Sequence, residues 1–388
     1  MTNAVIVDVI RTASGKGKPG GALSGIHPVE LLATTIRGLL DRSALDPELI
    51  DDVIAGCVSQ AGEQAANIGR NAALAAGLPE SVPATSIDRQ CGSSQQAAHF
   101  AAQGVIAGAY DVVIACGVES MSRVPMFSNF GGKDPYAPLA GRYPDGLVPQ
   151  GISAELINAR WKLDRGTLDE FAAESHRRAA AATASGAFST EILPIGEHKV
   201  DETIRASTTV EGLAGLKPSF QDPAVSKRFP EITWSITPGN SSPLTDGASA
   251  ALIMSEERAH DLGITPRARF HSFAVTGSDP LLMLTGVIPA TRKVLDRSGL
   301  TLDDIDAYEV NEAFAPVPLI WQREFTADPA KLNPRGGAIA LGHPLGASGT
   351  KLLTTLVNQL EASAGHYGLQ TMCEGGGMAN AMIIERLG

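Results

Sequence analysis

Residues 107–116 read AGAYDVVIAC and residues 364–373 read AGHYGLQTMC, so Ala, Gly, Tyr and Cys coincide at an offset of 257. Upstream, Ile50-Asp51 in LIDDVIAG matches Ile305-Asp306 in DIDAYEVN at 255. Between them, Gly92 and Ser94 match Gly346 and Ser348 at 254. Three blocks in one order at nearly one spacing mark an internal duplication. Low-complexity Ala/Gly would mimic one block, not the set. Each copy alternates short apolar runs (VIVDVI, DVIAGC, DVVIACGV) with stretches of helical period (PVELLATTIRGLL, SSQQAAHFAAQGVIAG). That alternation predicts the α/β class, with mixed, largely parallel sheets covered by helices. Packing the unit on its sibling makes a layered sandwich with helices between two sheets.

The middle of the chain breaks the pattern. Residues 124–152 are rich in Gly, Pro, Tyr and Asn and precede an amphipathic stretch, TLDEFAAESHRRAAAATASG. Long irregular segments in compact proteins are usually functional, so this reads as an insertion lying over a site. ASAALIMSEERAHDLG then supplies a strand and helix returning to the first half. The expected division is 1–120 plus 248–270, an inserted loop domain over 121–247, and a second half over 271–388.

The net charge is −11 with no long basic stretch, which argues against duplex nucleic acid and anionic membrane as partners. Between Met121 and Gly247 the charges nearly balance, 13 Lys/Arg against 15 Asp/Glu. An anionic ligand therefore meets least repulsion over the insertion. No apolar run reaches the ~18 residues of a membrane-crossing helix, and the N-terminus lacks a signal-peptide pattern. The four cysteines (Cys57, Cys91, Cys116, Cys373) lie far apart without a CxxC. Neither a disulfide framework nor a zinc site is indicated, and a reducing cytoplasmic setting is expected.

Cys91 sits in SIDRQCGSSQQAAHF, a polar turn opening onto a small-residue helix. Free N–H groups and the macrodipole at a helix start favour a thiolate. The bland alternative is a buried cysteine acting as a small hydrophobe. His343 lies in GGAIALGHPLGASGTKLL, displayed between Gly and Pro on a glycine-crowded turn; the other histidines read as surface or core. Cys373 ends the strand GLQTMC before EGGG, whose glycines free N–H groups to approach an anion. Cys116, its partner in the repeat, and Cys57 read as core.

Taken together, QCGSSQQA, GNSSPLTDGASA, NEAF, GGAIALGHPLGASG and CEGGGMANA resemble the thiolase family, block by block and in order, over essentially the whole chain. The resemblance implies a duplicated αβαβα sandwich and an acyltransferase that cleaves or forms 3-ketoacyl-coenzyme A thioesters. Cys91 would carry the acyl group, His343 would activate it, and Cys373 would be the acid/base at C2 of the acetyl unit. Asn311 of NEAF would hold a water and, with His343, stabilise the thioester enolate. The N–H groups of Cys91 and Gly375 would form a second oxyanion hole. Ser242 and Lys217 would contact coenzyme A, the co-substrate. No metal or prosthetic group is implied, and a homodimer or homotetramer is.

Two departures bear on the substrate. Short-chain acetoacetyl enzymes of the family carry His-Met-Gly in the inserted loop, where this chain has Val148-Pro149-Gln150-Gly151-Ile152. A stretch near MGTGPIPA reads Met283 to Ala290 as MLTGVIPA. Both line the acyl pocket, so a medium, long or bulky acyl chain is expected, as in degradation of fatty acids or ring-derived acids. Ketoacyl synthases on the same fold use histidines where Cys373 stands. A binding protein without turnover would be expected to lose one of Cys91, His343 or Cys373. A dinucleotide enzyme would show GxGxxG after the first strand, and none is present.

Overall fold

The computed structural model describes residues 2–388. The first half runs β1 (Ala4–Thr12), β2 (Gly15–Lys16), α1 (Pro28–Ser43), β3 (Asp52–Gly56), α2 (Ile68–Ala75), β4 (Ala84–Ile87), α3 (Ser93–Ile106) and β5 (Val112–Ser120). The middle segment supplies α4 (Gln150–Trp161), α5 (Arg165–Ala184), β6 (Ile192–Leu193), α6 (Val210–Ala214) and α7 (Pro223–Arg228). β7 (Thr245–Ser255) and α8 (Glu256–Asp261) follow. The second half runs β8 (Ala268–Gly277), α9 (Val287–Ser298), β9 (Ala307–Val310), α10 (Pro316–Phe325), α11 (Ala338–Leu341), α12 (Ser348–Ser363), β10 (Tyr367–Glu374) and β11 (Met378–Arg386).

The two halves share one strand plan. β1 and β8 open them, and each pairs antiparallel with the last strand of its own half, β7 or β11. Those pair antiparallel with β5 and β10, which pair in parallel with β3 and β9. β4 lies parallel beside β3; in the second half a bridge from Tyr308 to Leu332 takes that place. The two sets meet edge to edge where β1 and β8 share the pairs Val5–Arg269 and Ile6–Ala268. Hydrogen bonding therefore runs through eleven strands as one mixed sheet.

Side-chain alternation along the strands builds the layers. On β5, Val112, Ile114, Cys116 and Val118 face the core under α1 and α2, while Val113 and Ala115 face α3 and α12. On β11, Met382 and Ile384 point to the same central helices, and Ala381 and Ile383 to the core under α9 and α10. The order is helix, sheet, helix, sheet, helix. α1 is typical of an outer helix: His27 caps it, Pro28 starts it, and Leu31, Leu32, Ile36 and Leu39 are buried. Fully burying one such side chain contributes ~1.5–3 kcal/mol. α3 and α12 instead approach through small residues. A Cβ at Gly349 would lie 1.9 Å from the Gln95 nitrogen, and the Thr350 N–H donates to Ser94 Oγ at 3.0 Å.

Two sequence expectations are corrected. The sheet is mixed but not largely parallel: among the strands of the described residues only β1–β6, β3–β4, β3–β5 and β9–β10 pair in parallel, because each half closes on an antiparallel last strand. The repeat spacing is the other. Val113 sits opposite Asp52 and Gly368 opposite Ala307, so the true spacing of the halves is 255. The counterpart of Cys116 is Thr371, and the Cys116–Cys373 match slips by two. Asp51 and Asp306 confirm the spacing. Asp51 accepts from the N–H groups of Asp111 and Val112 (2.6 and 2.9 Å), and Asp306 from those of His366 and Tyr367 (2.6 and 3.2 Å).

Candidate active site

Cys91 stands one residue before Gly92, the N-cap of α3, after a left-handed Gln90 (φ 48°). Cys373 lies on β10 opposite Ala379. His343 is on the turn between α11 and α12, its N–H donating to Thr245 Oγ1 at 3.1 Å. Lys351 Nζ, in the first turn of α12, donates to the carbonyls of Leu341 and Gly342 at 2.7 and 2.9 Å and so fastens that turn. Asn311 follows β9. All four groups are buried, between 0% and 4% exposed.

Hydrogen bonds fix the His343 tautomer. The single proton of Ser348 goes to the Pro344 carbonyl at 2.9 Å, so its Oγ accepts from His343 Nδ1–H at 2.6 Å. Nε2 is thereby left with its lone pair, 3.3 Å from the Asn311 Nδ2 donor. Burial, with Lys351 adding, lowers the ring to about 3, so the imidazole is neutral. The other Asn311 side-chain atom, Oδ1, has no partner in the protein.

The thiols are held protonated. Burial first, then the carboxyl of Glu374, pushes Cys91 from its ordinary 9.0 up to about 12, against a hydrogen bond from the Gln150 side chain. A helix dipole is worth ~0.3–1 kcal/mol, under one pKa unit at ~1.4 kcal/mol each, so burial outweighs it. Cys373 is raised well above its ordinary value by burial and then by Cys91, which therefore lies near enough to oppose its ionisation.

Gly375 packs on the Cys91 turn: a Cβ there would lie 2.9 Å from Gln90 Oε1. Ser242 is tied to the NEAF loop by its N–H, which donates to the Ala313 carbonyl at 3.0 Å. Lys217 stands exposed beyond α6, on a loop whose Leu213 and Leu216 cover Gly239. Among the described residues, no group of three or more His, Cys, Asp or Glu is placed to hold a metal, and no helix is long and apolar enough to cross a membrane.

The family model described as thiolase, N-terminal domain, matches residues 4–257, and that described as thiolase, C-terminal domain, matches 264–386. The chain belongs to the thiolase family. Among its relatives, the steroid 3-ketoacyl-CoA thiolase FadA6 of Mycobacterium tuberculosis is 50% identical, the match covering all of this chain and 95% of that protein. A 3-ketoacyl-CoA thiolase of Enterobacter is 45% identical over the full length of both. The crystal structure of the Bacillus anthracis acetyl-CoA acetyltransferase superposes with a TM-score of 0.89 at 36% identity, covering 100% of this chain and 99% of that one.

Three residues of this thiolase's site escaped the sequence reading. Gln150 reads in the sequence only as a departure in the loop, yet its amide reaches Cys91 from the head of α4. Ser348 entered only as a repeat match, although its place five residues after His343, on the first turn of α12, was a usable signal. Glu374 was passed over for the glycines beside it.

Proposed function

We propose that this thiolase cleaves 3-ketoacyl-CoA with CoA, through an acyl group carried on Cys91. Two observations support the reading: Cys91 lies near enough to Cys373 to raise that buried thiol, and the neutral His343 keeps the lone pair on Nε2. Burial raises the Cys91 thiol and lowers the His343 ring to about 3, so an ion pair at rest is disfavoured and proton transfer to Nε2 accompanies attack on C3. The C2–C3 bond breaks, its electron pair becomes the acetyl-CoA enolate, and Cys373 protonates C2. Coenzyme A then gives its thiol proton to the Cys373 thiolate and attacks the Cys91 thioester. His343 returns its proton to the departing Cys91 sulfur.

Asn311 Oδ1 is the atom left to hold a water, so Asn311 and His343 together face the enolate oxygen. The N–H groups of Cys91 and Gly375 serve the thioester oxygen, and Ser242 and Lys217 bind CoA. The chemistry asks for no metal or prosthetic group. Val148–Ile152 in place of His-Met-Gly favours a medium, long or bulky acyl chain in a degradative role, in keeping with the relative named a steroid 3-ketoacyl-CoA thiolase. A homodimer or homotetramer in the cytoplasm, divided at 1–120 plus 248–270, 121–247 and 271–388, completes the proposal.

The test is CoA-dependent cleavage across 3-ketoacyl-CoAs of increasing bulk. Cys91→Ala loses more than ~10³-fold in turnover; retained turnover removes Cys91 from the role. Cys373→Ala stops carbon–carbon cleavage while acyl groups still exchange onto Cys91, and normal cleavage by that variant refutes the acid/base role.

A further inference from the structure

The duplication puts a buried glutamate near the end of the same strand in each half, Glu119 on β5 and Glu374 on β10. Each faces the head of the central helix that belongs to the other half. Glu119 is saturated: it accepts from the N–H groups of Val58, Ser59 and Gly346 (3.0, 3.0 and 2.9 Å) and from Gln64 Nε2 at 2.9 Å. Neither carboxyl oxygen of Glu374 has a hydrogen-bond partner in the protein.

The reason lies in the repeat. At the spacing of 255, Gln64 becomes Leu319, which carries no donor. Val58 and Ser59 become Ala313 and Phe314, which pair instead with the Ser241–Ser242 segment. Glu374 has turned to the nucleophile's turn. A Cβ at Gly92 would lie 2.0 Å from Glu374 Oε1 and 2.7 Å from Asn380 Nδ2, which donates to the Gly92 carbonyl at 3.0 Å. The carboxyl is thus seated against the residue after Cys91, and only glycine at 92 leaves it room.

We propose that Glu374 is a positioning residue for the nucleophile: as a neutral carboxyl it lets the Cys91 thiolate form, and as a carboxylate it keeps that thiol protonated. This deepens the reading of Cys91 as nucleophile and rests on it. The surroundings keep Glu374 neutral at ordinary pH, for burial raises it to about 8, with Arg89 opposing and Asp88 reinforcing. The charged and titratable groups around it are few. The turn before α3 brings Asp88, Arg89 and Cys91, and β10 brings Cys373. His99 on α3, which shares Arg89 as a neighbour, is lowered by burial and then by Arg89 to about 3 and stays neutral. β11 brings only the neutral Asn380. Cys91 in turn registers Glu374 as the largest influence on its ionisation after burial.

The test is the pH dependence of Cys91 alkylation by iodoacetamide in the intact enzyme, read by mass on the Cys91 peptide. Below its own pKa a lone thiol reacts tenfold faster per pH unit. In the wild type the rise should flatten above pH about 8 as Glu374 ionises. Glu374→Gln removes the flattening, so the ratio of variant to wild type stays near one below neutrality and climbs roughly tenfold by about pH 9. A ratio constant across that range overturns the proposal. Should Glu374→Gln fail to fold, Arg89→Met removes the cation that favours the carboxylate, and the break moves to higher pH; an unmoved break is the overturning result. If Cys91→Ala retains turnover, the reading beneath has failed. If Cys91 is essential but the ratio is flat, only the role of Glu374 has.

Discussion

His343 becomes a base through what its two nitrogens are given. Ser348 Oγ accepts from Nδ1–H and donates its own hydrogen to the Pro344 carbonyl, so Nε2 keeps its lone pair and the ring is fixed in orientation. Ser348→Ala leaves Nδ1–H buried without an acceptor, a loss of ~1–3 kcal/mol. Expected is a fall in kcat of about tenfold with KM little changed, because ~1.4 kcal/mol of barrier is a decade in rate and Ser348 touches no substrate. Steady-state kinetics decide it, and a raised KM at full kcat would place Ser348 in the binding surface instead. At this scale the sequence showed which side chains matter but not their state. Cys91 and His343 sit in glycine- and serine-rich turns and Cys373 on a strand that runs into three glycines, so they stood out. The protonation of Cys91 did not, because burial is set by Leu352 and Met372 around it, from elements more than 250 residues away. Gln150 and Glu374 were hidden for the same reason: each matters only through a neighbour distant in the chain.

The two central helices carry the catalytic turns, and their separation decides how those turns meet. Gly349 lets α12 lie against the backbone of α3 at Gln95, and Ser94, Thr350, Gln95 and Gln370 tie the contact with hydrogen bonds. In Gly349→Ala the added methyl would fall 1.9 Å from a main-chain nitrogen, which no rotamer can relieve. The helices must move apart, at ~1–3 kcal/mol or more. Thermal unfolding should therefore shift down and turnover should fall with it, since the Cys91 and His343 turns ride on the displaced helix ends. A variant with wild-type melting and wild-type rate would mean that the helices pack less closely than 1.9 Å implies. These elements were legible because their apolar periods are long: α1, α3, α5, β1, β5 and β7 fall where the pattern puts them. The two-residue slip between Cys116 and Cys373 was not detectable by pattern. A shift of two along a strand keeps every side chain on the same face, so alternation is blind to it. Only the strand pairing, counted from Asp51 and Asp306, separates the registers.

Across the whole molecule the question is whether two halves with one strand plan unfold as one body. α3 belongs to the first half and α12 to the second, yet Ala97, Ala101, Leu353 and Leu356 share one core with Ile6, Val113 and Met382 from both strand sets. Neither half can bury its inner face alone, and β1 and β8 add a hydrogen-bonded seam. The twin aspartates offer a test at matched positions. Asp51→Ala and Asp306→Ala each strip two N–H groups of an acceptor at the start of the equivalent strand, at ~0.5–1.5 kcal/mol apiece since water can reach them. They share no partner, so the double variant should lose the sum. The tryptophans make the readout sharp. Trp161, Trp234 and Trp321 all lie outside residues 1–120, so fluorescence reports on the insertion and second half, while far-ultraviolet circular dichroism reports on all layers. If the central helices couple the halves, Asp51→Ala shifts the fluorescence transition as far as the dichroism transition, although no tryptophan lies in its half. Two separated transitions in that variant, with fluorescence unmoved, would show that each half keeps its own stability and that the shared helix layer does not bind them into one unit.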